Sequence, residues 1–257
     1  MIVKNGQKID DIYKDGLQIG QVWKNGLLCF NKFYTTDGLV QHYDALNNTG
    51  SGYDPNSLIW KDLAGTNNAT IRNASWSNDS VLFNGINSLV EYVGTITIRY
   101  SIMGVVAVEH LMINQQPRFV DGNQTTYPGL YFENHSSGYP RNQFAYSVWA
   151  QGKDQTFPLK VTAPDSQRVH IAYTYDGTKI SLYINGVYTD AIPCTVNPNS
   201  RAWNWLGGSD GSKGGYGTQP RFLKGEVCNF MRYDKVLTND EIMINADIDI
   251  SRYKIIT

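Results

Sequence analysis

The acidic and basic residues of this chain are spaced wrongly for glycoside hydrolysis. A retaining glycosidase needs two carboxylates about 5–5.5 Å apart, and residues two apart on a β-strand provide this because they point to the same face. None of the glutamates is followed two positions later by an aspartate; they are Glu91, Glu109, Glu133, Glu226 and Glu241. The four histidines stand singly, without the spacing of a metal site. The sequence therefore predicts a protein that is not an enzyme.

Two segments combine aromatic rings with polar side chains, which is the chemistry that binds sugars. A ring packs against the apolar face of a sugar, while amides and carboxylates bind its hydroxyl groups. The candidate ligand-binding residues are Asp121, Asn123, Tyr131, Trp203, Asn204, Asp210 and Tyr216. Trp203 is expected at the surface, whereas Trp60 and Trp205 are expected in the core.

Short β-rich runs separated by Gly, Asn and Asp turns predict an all-β domain over residues 34–257. Helical signals occur once, where Thr238 and Glu241 form a capping box before an apolar run. We therefore expect a sandwich of two antiparallel sheets with one short C-terminal helix. His170 is expected to be a hydrogen-bonded structural histidine, and Asp44 and Asp62 to accept hydrogen bonds from backbone amides.

Residues 1–33 contain a ten-residue repeat with three Lys-Asn-Gly or Lys-Asp-Gly motifs, at 4–6, 14–16 and 24–26. Asn-Gly and Asp-Gly favour the two-residue turn of a β-hairpin. A turn at Asn5-Gly6 places Val3 opposite Lys8 and Ile2 opposite Ile9. Bends near residues 10–11 and 20–21 would keep the apolar residues on one face. With so few apolar side chains, the repeat must pack on the rest of the chain, on copies of itself or on a partner.

Several motifs resemble laminin-G-like, concanavalin A-like domains of the bacterial and phage type. They are GLVQHYDA at 38–45, WKDLAGTN at 60–67, RVHIAYTYDG at 168–177, LYING at 182–186 and YDKVLTNDEI at 233–242. The resemblance extends from about residue 38 to 245 and implies a jelly-roll sandwich of the lectin and glucanase kind. Arg168 stands where the family usually has Trp, and residues 76–80 and 203–220 follow no family pattern. Specificity is expected in those loops.

The same resemblance implies that calcium is a candidate ligand, since related domains often bind it at a rim loop through oxygen atoms. Asp210 and Asp121 are the candidate metal ligands, although no dense run of acidic residues accompanies them. No other cofactor is expected.

The short Lys-Asn-Gly repeats resemble N-terminal segments of some bacteriophage virion proteins. The chain lacks the pattern of a signal peptide, and its cysteines are expected to be buried free thiols; they are Cys29, Cys194 and Cys228. These features favour a virion protein that folds in the bacterial cytoplasm and is released by lysis. We expect non-enzymatic adhesion to host surface glycans by a fibre, tail or capsid-surface protein, with residues 1–33 contacting other virion proteins or further copies of the chain.

Two alternatives stay open: a structural or decoration virion protein that binds only protein, and a polysaccharide depolymerase with an unrecognised acid pair. Other classes are disfavoured. The net charge is −1 and basic residues are not clustered, which argues against nucleic-acid binding. No stretch approaches the roughly 20 apolar residues of a spanning helix, so membrane insertion is not expected.

Overall fold

The fold is described from a computed structural model of the chain. It describes residues 3–4, 7–8, 12–14, 17–19, 21–24, 27–31, 33–95, 97–109, 117–122, 128–133, 143–150, 153–194, 202–208 and 221–257. Only the backbone is described for residues 3–31 of this set and for 95, 122, 128–129, 131–133, 146–150, 153–158, 160 and 202–204.

The N-terminal repeat forms three separate two-stranded antiparallel hairpins. Their strands are β1 (Val3–Lys4), β2 (Gln7–Lys8), β3 (Ile12–Lys14), β4 (Leu17–Ile19), β5 (Gln21–Lys24) and β6 (Leu27–Asn31). Val3 pairs with Lys8 and Lys4 with Gln7, so the predicted register of the first hairpin is confirmed. The other two hairpins surround residues 15–16 and 25–26 in the same way. Ile2, Ile9 and the predicted bend at 10–11 lie outside the described residues.

The first sheet of the sandwich has eight strands, in the order β10-β11-β22-β13-β18-β19-β20, with β7 also paired to β22. The long strand β22 pairs through its first part with β11 and through its second part with β7. The strands are β7 (Leu39–Asp44), β10 (Ser75–Trp76), β11 (Val81–Asn84), β13 (Tyr100–Val108), β18 (Val169–Tyr175), β19 (Lys179–Ile184), β20 (Val187–Pro193) and β22 (Lys224–Tyr233).

The second sheet also has eight strands, in the order β17-β16-β15-β14-β21-β12-β9-β8. All pairings in both sheets are antiparallel among the described strands, as predicted. The strands are β8 (Ile59–Trp60), β9 (Ala69–Arg72), β12 (Leu89–Thr95), β14 (Arg118–Gly122), β15 (Pro128–Glu133), β16 (Gln143–Ala150), β17 (Lys153–Thr162) and β21 (Ala202–Leu206).

The main core lies between the two sheets and contains many aromatic side chains. Trp60 is fully buried there, as predicted, and lies 5.7 Å from the ring of Tyr43. Strand β9 shows the alternation of a half-buried strand, because Ala69 and Ile71 are buried while the residues after each are exposed. Cys194 and Cys228 are buried free thiols, which confirms the prediction for these two cysteines.

Helix α1 (Asn239–Arg252) covers the outer face of the first sheet. Its start is the predicted capping box, in which the Thr238 side chain accepts from the Glu241 amide and Glu241 bonds back to the Thr238 amide. Because of this cover, β13 is buried on both faces, with Ile102 in the core between the sheets and Met103 packed in the cluster that includes Ile242. In the part of the chain that the structure describes, no helix is long and apolar enough to cross a membrane.

Candidate functional site

The candidate functional site lies on the second sheet, where β21 runs between β12 and β14. The sequence separates its two ring-bearing segments by about 80 positions, but the sheet order places β14, β15 and β21 side by side. Trp203 on β21 pairs with Gly122 on β14, and Arg118 on β14 pairs with Tyr131 on β15. The fold therefore brings the strands that carry both predicted segments into one continuous patch.

Trp205 forms the centre of a row of three residues across this patch. Its cross-strand neighbours are Glu91 on one side and Asp121 on the other. The next residue, Leu206, pairs with Val90 and Val120, and all three of these side chains belong to the core between the sheets. Successive residues of a strand point to opposite faces. The row around Trp205 thus lies on the face of the sheet that is turned away from the core.

Trp205 is buried, as predicted, but it lies on the face of its sheet that is turned away from the main core between the sheets. Its exposed fraction is 2%, yet the inward position at this point of β21 is taken by Leu206. A buried tryptophan on an outward face must be covered by other parts of the chain. The patch is therefore a packed layer above the sheet.

Arg118 and Asp121 lie within this packed layer. Their side chains are 1% and 2% exposed, and the Arg118 Nε atom lies 3.7 Å from an Asp121 carboxylate oxygen. A sugar or a calcium ion needs an accessible oxygen atom, and a guanidinium at this distance repels a cation. The prediction of Asp121 as a ligand-binding and metal-binding residue is therefore not supported by its position. Its role here is to balance a buried charge.

Both ends of the segment 209–220 are held beside β14. The Gly207 amide donates to the Phe119 carbonyl at 3.0 Å, and the Leu223 amide donates to the Gly207 carbonyl at 2.8 Å. The Arg118 amide in turn donates to the Arg221 carbonyl at 3.3 Å. The chain therefore leaves and returns at one place, next to the Arg118–Asp121 pair.

A glycine is required where this segment begins. Gly207 has φ +71°, and a Cβ atom added there would lie 2.0 Å from the Phe83 ring. Only glycine both adopts this backbone conformation readily and allows the ring to approach so closely.

The remaining predicted site residues are described only in part. The backbones of Trp203, Asn204 and Tyr131 lie in β21 and β15, while their side chains are outside the described set. Asn123, Asp210 and Tyr216 lie outside the described residues altogether.

The described residues hold no cluster of the side chains that most often bind metal ions. They contain no group of three or more His, Cys, Asp or Glu side chains that could hold a metal ion. With Asp121 facing Arg118, the calcium prediction depends on Asp210 alone.

Glu91 and Asp121 are two acids on one face, separated by a single strand, which is an arrangement that sequence spacing did not reveal. Each is paired with an arginine: Glu91 with Arg72 on β9, and Asp121 with Arg118. Each carboxylate thus lies beside an arginine, and the Asp121 side chain is only 2% exposed.

Asp44 and Asp62 have the structural roles predicted for them. Asp62 is 1% exposed, and one of its oxygens accepts from the His42 and Ala64 amides, both at 3.0 Å. Asp44 accepts from the Leu46 amide and from the Tyr253 hydroxyl, both at 2.8 Å. Trp76 is partly buried and donates its ring N–H to the Ser57 carbonyl at 2.7 Å.

Three solved structures illustrate what this fold resembles. Domain 4 of AbnA, an extracellular arabinanase from Geobacillus stearothermophilus in complex with arabinotriose, matches with a TM-score of 0.58 and 18% identity, covering 81% of this chain and 98% of that one. The binding domain of Paraclostridial Mosquitocidal Protein 1 matches with a TM-score of 0.59 and 14% identity, covering 82% of this chain and 52% of that one.

Trypanosoma rangeli sialidase matches with a TM-score of 0.56 and 16% identity over 83% of this chain. The matched part is 33% of the sialidase, so this chain spans about a third of that enzyme. At these identities the likeness concerns the fold. A comparison with curated protein sequences finds no match.

A family model described as the concanavalin A-like lectin/glucanases superfamily matches residues 110–243, about half of the chain. This range includes β14, β15 and β21, which form most of the patch around Trp205. The chain belongs to the laminin-G-like branch of the concanavalin A-like lectin/glucanase superfamily.

Proposed function

We propose that this chain is a non-enzymatic, lectin-like adhesion module that binds host surface glycans as part of a phage virion. Its ligand surface would be the edge of the β14–β15–β21 patch, with Trp203 as the ring against which a sugar stacks. Asn204 and Tyr131 lie on the same strands, and Asn123, Asp210 and Tyr216 lie in the segments that follow them in sequence.

The observation that carries this proposal is the strand register. Trp203 and Tyr131 come from distant parts of the chain, yet they lie on strands that both pair with β14. Lectin sites need a few rings and polar groups that converge on one ligand. The register supports an extended site along β14, with Tyr131 opposite the first residue of that strand and Trp203 opposite its last residue. The packed layer around Trp205 would support such a site from below.

Domain 4 of AbnA supports a saccharide as the ligand class, because it was solved in complex with arabinotriose and shares this fold over nearly its whole length. The charge pattern of the patch supports binding without cleavage. Glu91 and Asp121, which lie opposite Trp205 on the neighbouring strands, are each paired with an arginine.

The virion role rests on the N-terminal repeat. Its three hairpins each form a sheet of their own, and isolated two-stranded hairpins are marginally stable in water. Contacts with further copies of the chain or with other virion proteins would stabilise them. Assembly of several copies would also raise the avidity of weak glycan sites.

The experiment is a glycan array probed with the full chain, with Trp203→Ala and with Ile256→Ala as a control. Ile256 is 88% exposed and follows α1, which covers the other sheet. We expect bacterial surface glycans to bind the wild type and the control, and Trp203→Ala to lose at least tenfold in affinity. Absence of glycan binding, or equal binding by all three proteins, would contradict the proposal.

The two alternative functions give different results. Capture of the protein by capsids or tails at fixed stoichiometry, without glycan affinity, would identify a decoration protein. Release of reducing ends from capsular polysaccharide would identify a depolymerase.

A further inference from the structure

A pocket of about 460 Å³ lies on the outer face of the first sheet, away from the β14–β15–β21 patch. Strands β18, β19 and β20 supply one side of it, and the residues just before and at the start of α1 supply the other. Pockets of about 300–1,000 Å³ are typical of small-ligand sites. The volume suits one or two sugar units.

Two hydroxyl groups form the floor of this pocket. Thr174 and Ser181 are directly opposite each other on β18 and β19, and they are only 5% and 4% exposed. Neither hydroxyl has a hydrogen-bond partner among the described residues. Both residues line the pocket, so their hydroxyls are available to bond to the hydroxyl groups of a ligand.

Two tyrosine rings form a wall beside that floor. Tyr183 and Tyr188 are cross-strand neighbours whose ring centroids are 5.6 Å apart at an interplanar angle of 77°. Tyr183 is held in place, because it is 6% exposed and its hydroxyl donates to Asn239 Oδ1 at 2.8 Å. Tyr188 is 52% exposed. It therefore offers a ring surface to a ligand without first having to be uncovered.

The rim carries one acid and one base, Asp176 and Lys179. One Asp176 carboxylate oxygen accepts from the Thr178 and Lys179 amides at 2.8 and 2.9 Å, which fixes the direction of the second oxygen. The two opposite charges cancel, so the rim favours a neutral ligand over a phosphate or another strong anion. Leu237, which is 3% exposed, adds an apolar surface.

We propose that this pocket binds a neutral saccharide unit, with Tyr188 against the apolar face of the sugar and Thr174, Ser181 and Asp176 bound to its hydroxyls. None of these residues belongs to the patch on β14, β15 and β21, and the pocket lies on the other sheet. It would be a second, independent glycan site, which lets one copy of the chain hold two glycan branches at once.

The test is saturation-transfer NMR of the full chain with a panel of neutral mono- and disaccharides at millimolar concentration. The variants are Tyr188→Ala, Ser181→Ala and Trp203→Ala, and Val187→Ala is the matched control. Val187 adjoins Tyr188 on the edge strand and is 68% exposed, but it does not line the pocket.

We expect at least one sugar to bind the wild type, Val187→Ala and Trp203→Ala alike, and its Kd to rise at least tenfold in Tyr188→Ala and severalfold in Ser181→Ala. Near-ultraviolet circular dichroism of each variant establishes that it is folded. Binding that survives in Tyr188→Ala, or no binding by any sugar of the panel, would overturn this proposal.

The two glycan proposals fail separately. If Trp203→Ala loses binding on the array and Tyr188→Ala binds as the wild type does in both assays, the patch is supported and the pocket proposal is overturned. The reverse result supports the pocket and overturns the patch.

Discussion

Arg168 binds Asp79 through two parallel hydrogen bonds of 2.6 and 2.8 Å, although 89 residues separate them in the chain. The same guanidinium donates to both carboxylate oxygens of Glu226 at 2.7 and 2.9 Å. Arg168 and the segment 76–80 are two places where the sequence departs from the family pattern, and they are partners in the structure. The two departures from the family pattern are thus joined by one ion pair.

Removing this arginine should destabilise the sandwich. In Arg168→Ala, Asp79 and Glu226 would face each other without a counter-charge, and their side chains are only 27% and 20% exposed. We expect the free energy of unfolding to fall by about 2 kcal/mol, measured by urea denaturation. The matched control is Lys224→Ala, which breaks a more exposed ion pair with Glu109 and should cost less than about 1 kcal/mol. Equal losses in both variants would contradict this account.

The same pair should contribute to the loss of stability in acid. Hydrogen bonds from Arg168 hold the pKa of the Asp79 carboxyl below its usual value. A group whose pKa is lowered by folding stabilises the protein above its ordinary pKa, and this contribution is lost as the pH falls. Between pH 5 and 3 the wild type should therefore lose more stability than Arg168→Ala. Parallel pH profiles for the two proteins would show that the interaction is not electrostatic.

A second pH effect, of opposite sign, is expected beneath α1. Asp249 is fully buried, and this burial raises its pKa to about 7, while burial lowers the pKa of His170 to about 3. Asp249 Oδ1 accepts from the Tyr34 hydroxyl at 2.6 Å and from the Asn229 amide group at 2.8 Å, whereas its Oδ2 lies 3.7 Å from His170 Nε2 without a hydrogen bond. Folding thus takes up a proton at Asp249 between about pH 4 and 7, and stability falls as the pH rises through that range.

The variant Asp249→Asn tests this sign. The Asn Oδ1 keeps both acceptor roles, its new amide hydrogens face His170, and position 249 carries no charge. Its free energy of unfolding should exceed that of the wild type at pH 8, and the difference should shrink towards pH 5. Asp247→Asn, an exposed change on the same helix, should leave the profile unchanged. A variant that is equally destabilised at every pH would contradict the expectation.

Gly207 gives a prediction about the base of the 209–220 segment. Gly207→Ala combines an unfavourable φ of +71° with a Cβ atom 2.0 Å from the Phe83 ring, so we expect a loss of about 3 kcal/mol or more. Gly177→Ala is the control, because its φ is +97° but nothing lies within 4 Å of the added Cβ. It should cost only about 1 kcal/mol. Thermal unfolding followed by circular dichroism measures both, and similar losses would argue against the Phe83 contact.

Residues 1–33 should drive self-association. Multi-angle light scattering of the full chain should report an oligomer, and a chain that begins at residue 34 should be smaller in subunit number but keep the circular dichroism spectrum of a β sandwich. The physical reason is that the three hairpins cannot bury enough surface by themselves. A full-length chain that runs as a monomer would contradict this prediction.

Features governed by neighbouring residues could be predicted from the sequence. The pairing of Val3 with Lys8 follows from a two-residue turn, and the start of α1 follows from the hydrogen bonds between Thr238 and Glu241. Each of these depends on backbone geometry within a few positions, which residue types report directly. Two antiparallel sheets and the superfamily could be inferred because many such local signals occur in a characteristic order.

Features governed by distant partners needed the tertiary structure. The sequence does not show that Trp205 faces away from the core, because this depends on which residue of β21 meets Val90 and Val120. It predicts a hydrogen-bonded structural role for His170, which is fully buried, but neither imidazole nitrogen has a hydrogen-bond partner among the described residues. The pairing of Arg168 with Asp79 and the meeting of β14, β15 and β21 likewise depend on strand register. Register between remote strands is set by packing of the whole sandwich, and a shift of one residue would turn every side chain to the other face.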